Sequence, residues 1–249
     1  MVVIAMLSGR IQAAVGCAGR VRKLCSLPWE PGQPPREVLS ALFAENALPR
    51  NRVVVLLPRE AVTTRLLTLP PLPTRAMAEA VDHALWEEEP LVTDFLPLGS
   101  AGKLRRVLAV GCPKQVLERY EELFSGLNAR IGRISVPRES LWKLMQAEKI
   151  QGMLLSFDGG TVETVFPDGD GSRHTLYAQP GTEDFALRVG EILQEESLRR
   201  GALGQVVYTG CRELPDLDIP AMLLKSKRFA SLPGGEDFGD WAYVLGGLL

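Results

Sequence analysis

The sequence predicts an α/β fold in two lobes, each a mixed sheet covered by helices. Three observations carry this. A pattern of three strands, a helix and a further strand fills Val2 to Leu57 and returns from Met153 to Thr209. Between the copies, residues 70–129 have strand and helix signals of their own and read as a small α+β insert. The chain has 249 residues, 46% of them hydrophobic, enough to bury a large core. The competing reading is two unrelated α/β halves that each begin with a meander.

Taken in order, Val2 to Leu7, Ile11 to Cys17 and Val21 to Leu27 are apolar or alternating runs separated by Ser8-Gly9-Arg10 and Ala18-Gly19-Arg20. That spacing predicts a three-strand meander. After the Pro/Gly-rich loop Trp29 to Pro35, Val38, Leu39, Leu42 and Phe43 recur at helical spacing on a segment ending near Asn46. Val53 to Leu57 is a continuous apolar run, the pattern of a buried strand parallel to its neighbours. Ala61 to Leu69 reads as one more strand, and Pro70, Pro71 and Pro73 stiffen its connection to the next helix.

In the insert, Met77, Ala80, Val81, Ala84 and Leu85 form one stripe on a helix from Thr74, a candidate N-cap, to about Glu88, with Pro90 as the stop. Leu91 to Leu98 and Arg105 to Gly111 predict strands. Pro113 opens a helix striped by Val116, Leu117, Tyr120, Leu123 and Phe124, with Gly126 as its C-cap. Ala129 to Val136 is a strand, and Pro137 starts a helix carrying Leu141, Leu144 and Met145.

The second copy has strands at Met153 to Phe157, Thr161 to Phe166 and Arg173 to Gln179, then a helix from Thr182 to about Arg200 and a strand at Gln205 to Thr209. Thr182 suits an N-cap, Glu183 and Asp184 suit the positive helix end, and Arg199 and Arg200 suit the negative one. Asp240 to Leu249 reads as an apolar helix packed on the second half, weakened by two glycines.

Composition removes several function classes. The formal charge is −2 with acids and bases mixed, so no basic tract is offered to nucleic acid. The start MVVIAMLSGR is not a signal peptide, and no run is long enough to span a membrane, so the expectation is a cytoplasmic protein. Cys17, Cys25, Cys112 and Cys211 are scattered and predict reduced core thiols rather than a zinc site. His83 and His174 have no ligand at metal spacing and read as surface or half-buried residues, and no Gly-x-Ser-x-Gly points to a hydrolase. Neither catalytic nor metal-binding residues are expected. Glu87-Glu88-Glu89 reads as the solvated end of a helix.

The stretch Met153 to Phe166, MLLSFDGGTVETVF, is the candidate site. A buried strand ends in Asp158, and Gly159-Gly160-Thr161 makes a turn whose N–H groups can face a phosphate while the carboxylate holds a hydrated divalent cation. A plain β-hairpin accounts for the same residues. Leu66, Leu67 and Leu69 with Met77 and Leu85 could line a groove between first lobe and insert, with Arg65 as a partner contact, or could be core.

Three runs, in order, resemble the PilM and GspL proteins: VVVLLPREAVTTRLLTLPPLPTRAMAEAV from Val53, RRVLAVGCPKQVLERYEELFSGL from Arg105 and SFDGGTVET from Ser156. The resemblance implies an actin-like fold, a two-lobed ribonuclease H-like duplication with an α+β insert placed as in the cell-division protein FtsA. Residues 1–69 and 130–150 would form the first lobe, 70–129 the insert and 151–249 the second lobe. It also implies a place in the inner-membrane platform of type IV pili or type II secretion, on the cytoplasmic side. There the chain would meet platform proteins or the assembly ATPase and reach the membrane through partners or a further C-terminal segment.

Actin-like ATPases hold ATP between a phosphate hairpin in each half and a glycine-rich adenosine turn. By the resemblance, Asp158, Gly159, Gly160, Thr161 and Thr164 match the second hairpin, and Thr209-Gly210-Cys211-Arg212 is the adenosine turn with one glycine of the usual two. In the first hairpin, Met6-Leu7-Ser8-Gly9-Arg10 departs from Asp-x-Gly-Ser/Thr, and Met6 is read at the acid's place. About five residues between Arg200 and Gln205 leave no room for the upper subdomain that walls the adenine. The expectation is a vestigial cleft, no cofactor and a scaffold that docks peptides. The alternatives are an ATP–magnesium enzyme using Asp158 and Thr161, and a polymer-forming protein.

Overall fold

The fold comes from a computed structural model, which describes residues 1–17, 20–30, 33–86, 90–211, 214–215, 219–226, 228–229 and 232–249. The turn residues Ala18 and Gly19, the run Glu87-Glu88-Glu89 and Arg212 lie outside the described residues.

Strands β1 (Val2–Leu7), β2 (Arg10–Cys17) and β3 (Arg20–Pro28) form an antiparallel meander. Helix α1 (Pro35–Glu45) carries the chain back so that β4 (Val53–Leu56) pairs parallel with β1. The second copy repeats this with β9 (Met153–Asp158), β10 (Thr161–Val165), β11 (Arg173–Thr175), helix α5 (Glu183–Arg200) and β12 (Val206–Thr209). Each sheet gains a fifth, parallel strand: β8 (Ile131–Ser135) in the first and β13 (Ala221–Leu223) in the second. The orders β3-β2-β1-β4-β8 and β11-β10-β9-β12-β13 are the same order twice. The strand β13 has three residues, too few to show a period in the sequence. Likewise β11 stops at Thr175, short of the expected Gln179.

The insert is a three-stranded sheet, β5 (Thr63–Leu69), β7 (Leu104–Pro113) and β6 (Leu91–Ala101), under helix α2 (Thr74–Ala84), with α3 (Lys114–Gly126) leading back to β8. This moves a boundary. The strand β5, expected in the first lobe, pairs along its whole length with β7, so the insert begins before residue 70. Hydrophobic pattern identifies a strand but not the partner that takes its hydrogen bonds. Thr74 is the first helical residue rather than the cap, which is Pro73, and α2 ends at Ala84, well before Pro90.

The C-terminal helix α6 (Ala242–Gly247) departs most from expectation. It lies on α4 (Pro137–Glu148) and on β1, β2 and β4 of the first half. One apolar core joins Val3, Ala5 and Leu56 of the first sheet, Leu154 and Val207 of the second, and Leu141, Val244 and Leu245 of the two helices. The glycines make this approach possible. A Cβ built at Gly246 would lie 2.1 Å from the Ser140 carbonyl oxygen, and one at Gly247 2.6 Å from Val3 Cγ1. Their cost in helix propensity is offset by close packing. Cys17 is exposed rather than in the core.

Candidate functional site

The hairpins β1–β2 and β9–β10 meet between the lobes. Leu7 pairs with Arg10 across Ser8-Gly9, and Asp158 with Thr161 across Gly159-Gly160, so both turns have two residues. This corrects the reading of Met6. The counterpart of Asp158 is Leu7, and that of Thr161 is Arg10. Leu7 belongs to the core between the lobes, whereas Met6 points to the opposite side, under α1. Setting LSGR over DGGT in the sequence finds the correct register.

The hairpins touch. Ser8 N–H donates to Asp158 Oδ2 at 3.3 Å, and a Cβ built at Gly159 would lie 2.7 Å from the Ser8 hydroxyl oxygen. Gly159 sits at φ +56, a conformation that disfavours a side chain. Thr161 Oγ1 donates to the Asp158 carbonyl at 3.0 Å. Beside this contact is a cavity of about 560 Å³ lined by Met6, Leu7, Trp29, Pro58, Pro137 and Asp158, among others. Its wall is largely apolar. Asp158 is buried and could face a cation there. Among the described residues no cluster of His, Cys, Asp and Glu has metal-holding geometry.

Two other matched residues lie elsewhere. Thr164 is fully buried on the far face of β10, hydrogen-bonded to Glu196 at 2.8 Å, and does not reach the cleft. Gly210 sits at φ +77 with a built Cβ only 2.1 Å from the Phe157 carbonyl oxygen, so its missing side chain serves contact with β9. Segment 237–241 covers that turn, and Thr209 Oγ1 donates to Gly239 O at 2.9 Å.

Polar ties hold the lobes together. Arg138 at the start of α4 pairs with Glu163 of β10 at 3.0 Å, with side chains only 13% and 4% exposed. Trp142 Nε1 donates to Pro167 O at 3.1 Å, and Arg173 of β11 pairs with Glu60 across the cavity mouth. Arg106 of the insert pairs with Asp168, which also takes Arg200. Burial raises the Asp168 carboxyl, but the Arg200 and Arg106 guanidinia and the Asp170 N–H outweigh it and hold it below the usual range. Sequence spacing gave no sign of Arg138 with Glu163, because the pair exists only when the lobes face each other.

Of the two readings open for Leu67, Leu69, Met77 and Leu85, groove or core, the structure gives core. Met77 and Leu85 are buried in the insert core with Leu67 and Leu69 packed on them, and Arg65 donates to Ala84 O at the end of α2. The groove between insert and first lobe opens on the other face of the insert sheet. It encloses about 290 Å³ and is lined by Leu57, Val92, Leu96, Val110, Ile134 and Val136, with Asp94, Arg133 and Glu139 among its polar residues. Burial pushes the Cys112 thiol in its wall up to about 11, which keeps it neutral. The strands β6 and β8, each outermost in its sheet, both border it.

His83 is exposed, while His174 is buried with its ring nitrogens each 3.2 Å from a carboxylate, Glu195 and Glu196. Neither faces the cleft cavity.

No protein-family profile matches the chain, and no curated protein matches it. Solved structures do. The PilM–PilN type IV pilus biogenesis complex superposes with a TM-score of 0.76 at 15% identity, covering 99% of this chain and 97% of that one. The cytoplasmic domain of EpsL, an inner-membrane component of the Vibrio cholerae type II secretion system, gives 0.63 at 14% identity over 92% and 91% of the chains. A Bacteroides thetaiotaomicron protein with an actin-like ATPase fold and unknown function gives 0.57 at 12% over 98% and 94%. The duplicated sheet order, the crossing helices between the sheets and these superpositions together assign the chain the actin-like fold, in the form shared by PilM and the EpsL cytoplasmic domain.

Proposed function

We propose that the chain is a non-catalytic actin-like scaffold of a type IV pilus or type II secretion inner-membrane platform, docking an extended peptide of a platform partner. The observation that carries this reading is the contact between hairpins: Ser8 closes on Asp158 and Gly159, and Leu7 stands in the first hairpin at the register position that Asp158 holds in the second, so one side of the cleft lacks a carboxylate. Phosphoryl transfer depends on positioning and charge neutralisation around the phosphates. Supporting it from the other side, the groove between β6 and β8 offers apolar seats beside two strands that are each outermost in their sheet among the described residues, the setting for a peptide that adds as a strand. The partner segment would be extended, with apolar side chains at alternate positions.

Isothermal titration with ATP and magnesium should give weak or no binding, and a clear low-micromolar site would overturn the non-catalytic half. Pull-down with pilus and secretion platform components, including the assembly ATPase, tests the other half; the reversal Val110→Glu should abolish capture. A second reading, an ATPase using Asp158 and Thr161 with magnesium, is favoured by the buried carboxylate beside a cavity of about 560 Å³. Under it Asp158→Ala abolishes turnover, and an unaltered protein without turnover ends it.

A further inference from the structure

The strand ends of the first sheet bring cations together that are far apart in sequence. Register places Val2 beside Val15 and Val53, Val53 beside Ile131, and Cys17 beside Arg20. Hence Arg20 and Arg22 of β3, Arg52 before β4 and Arg130 before β8 all lie at one end of the sheet, across five strands or roughly 20 Å. All four are exposed, and among the described residues their guanidinia make no ion pair or hydrogen bond. Two more cations sit at the same end. Lys23 Nζ donates to Asn46 O at 2.6 Å after α1, and Arg50 donates to Leu127 O after α3, so each answers the negative end of a helix. Glu45, the last residue of α1, is an acid at this same end, next to Asn46.

Between Arg52 and Arg130 is a hollow of about 560 Å³ whose remaining lining includes Val54, Ile131 and Gly132, with no acidic residue. Arg133 also borders it but its guanidinium is taken by Glu139. A chain of net charge −2 thus gathers unpaired arginines at a single end.

We propose that this end of the first lobe is a surface for anionic lipid headgroups, the hollow between Arg52 and Arg130 seating one phosphate-bearing headgroup. Guanidinium suits phosphate because its planar N–H fork matches two oxygens. The cations come from the ends of three strands and lie in a row across one end of the lobe, which suits a bilayer plane; a peptide would need a continuous trough. The peptide groove borders β8 and the residue after it, Arg133 to Val136, and shares only Arg133 with the hollow, so a bilayer at the start of the strand leaves the rest of the groove open. The proposal stands whether or not the scaffold reading does.

The test is co-sedimentation of the whole chain with vesicles of phosphatidylcholine alone and with one third phosphatidylglycerol, at low and rising salt. Binding is expected only to the anionic vesicles and should fade with salt. Each basic residue near such a surface contributes about fivefold in partitioning, so the double variant Arg52→Gln/Arg130→Gln should lose roughly 25-fold and Arg20→Gln/Arg22→Gln a similar factor. Lys114→Gln/Arg119→Gln, on the insert helix, should change nothing. Three results overturn the proposal: no binding of the unaltered chain at low salt, equal binding to neutral vesicles, or unchanged binding in both arginine pairs. Capture of an acidic peptide such as poly-glutamate in place of vesicles overturns it too. Unchanged melting curves for all variants separate loss of charge from loss of fold.

Discussion

In the first half the hairpin Leu7-Ser8-Gly9-Arg10 turns in two residues, and in the second Asp158-Gly159-Gly160-Thr161 does the same. One step further in, Gln12 stands opposite Ala5, and Glu163 opposite Ser156. These two residues have reciprocal tasks. Gln12 Nε2 donates to the Asp240 carbonyl just before α6, the helix beyond the second sheet. Glu163 takes Arg138 in the first turn of α4, the helix beyond the first. Each half therefore holds the helix leaving the other, once by a neutral hydrogen bond and once by a buried ion pair. The comparison teaches that apolar pattern and turn length preserve a duplicated topology, while the few polar positions facing the gap are free to change their chemistry.

The symmetry should break most severely at the helix crossing. Gly246→Leu would force Cβ into the Ser140 carbonyl, and urea unfolding should show a loss of about 4 kcal/mol or more. Next comes the ion pair: Glu163→Ala leaves Arg138 buried and should cost about 3 kcal/mol by the same measurement.

The second half also carries an acid-sensitive carboxylate. Burial would raise Glu196, but bonds from His174, Thr164 and Arg199 hold it down at about 2, against an ordinary 4.5. Because the folded value is depressed, its contribution is present above about pH 4.5 and is lost as pH falls towards 2, amounting to about 3 kcal/mol. Urea midpoints taken from pH 5 to 2 should fall for the unaltered chain and fall less steeply for Glu196→Gln, in which Asp168 and Glu139 still titrate.

Gln12→Ala, the neutral counterpart of Glu163→Ala, should cost only about 1 kcal/mol, and an equal loss in both would remove the contrast between the halves. The smallest effect has the opposite sign. A Cβ at Gly190, inside α5, meets nothing within 4 Å, so Gly190→Ala should stabilise by up to about 1 kcal/mol.

Much of this was legible along the chain. The meanders, the parallel returns at Val53 and Val206, and the cap at Thr182, which accepts from Phe185 N at 3.2 Å, come from local periodicity and turn chemistry. The contact between hairpins was not, although both turns were visible, because a turn carries no information about what it faces. That Leu7 and not Met6 stands at the acid's place follows from the chain's own second copy, because both hairpins turn in two residues. Met77 and Leu85 were candidates for groove or core, and only the side of the insert sheet covered by α2 separates the two.

By itself the sequence determined the duplicated strand order, since alternation and continuous apolar runs act over a few residues. Tertiary structure alone decided that β5 joins the insert, that α6 crosses to the first half, and that arginines from three strands share one end. Those are contacts between residues tens to hundreds of positions apart, where burial and charge are set by whichever surfaces the folded lobes bring together.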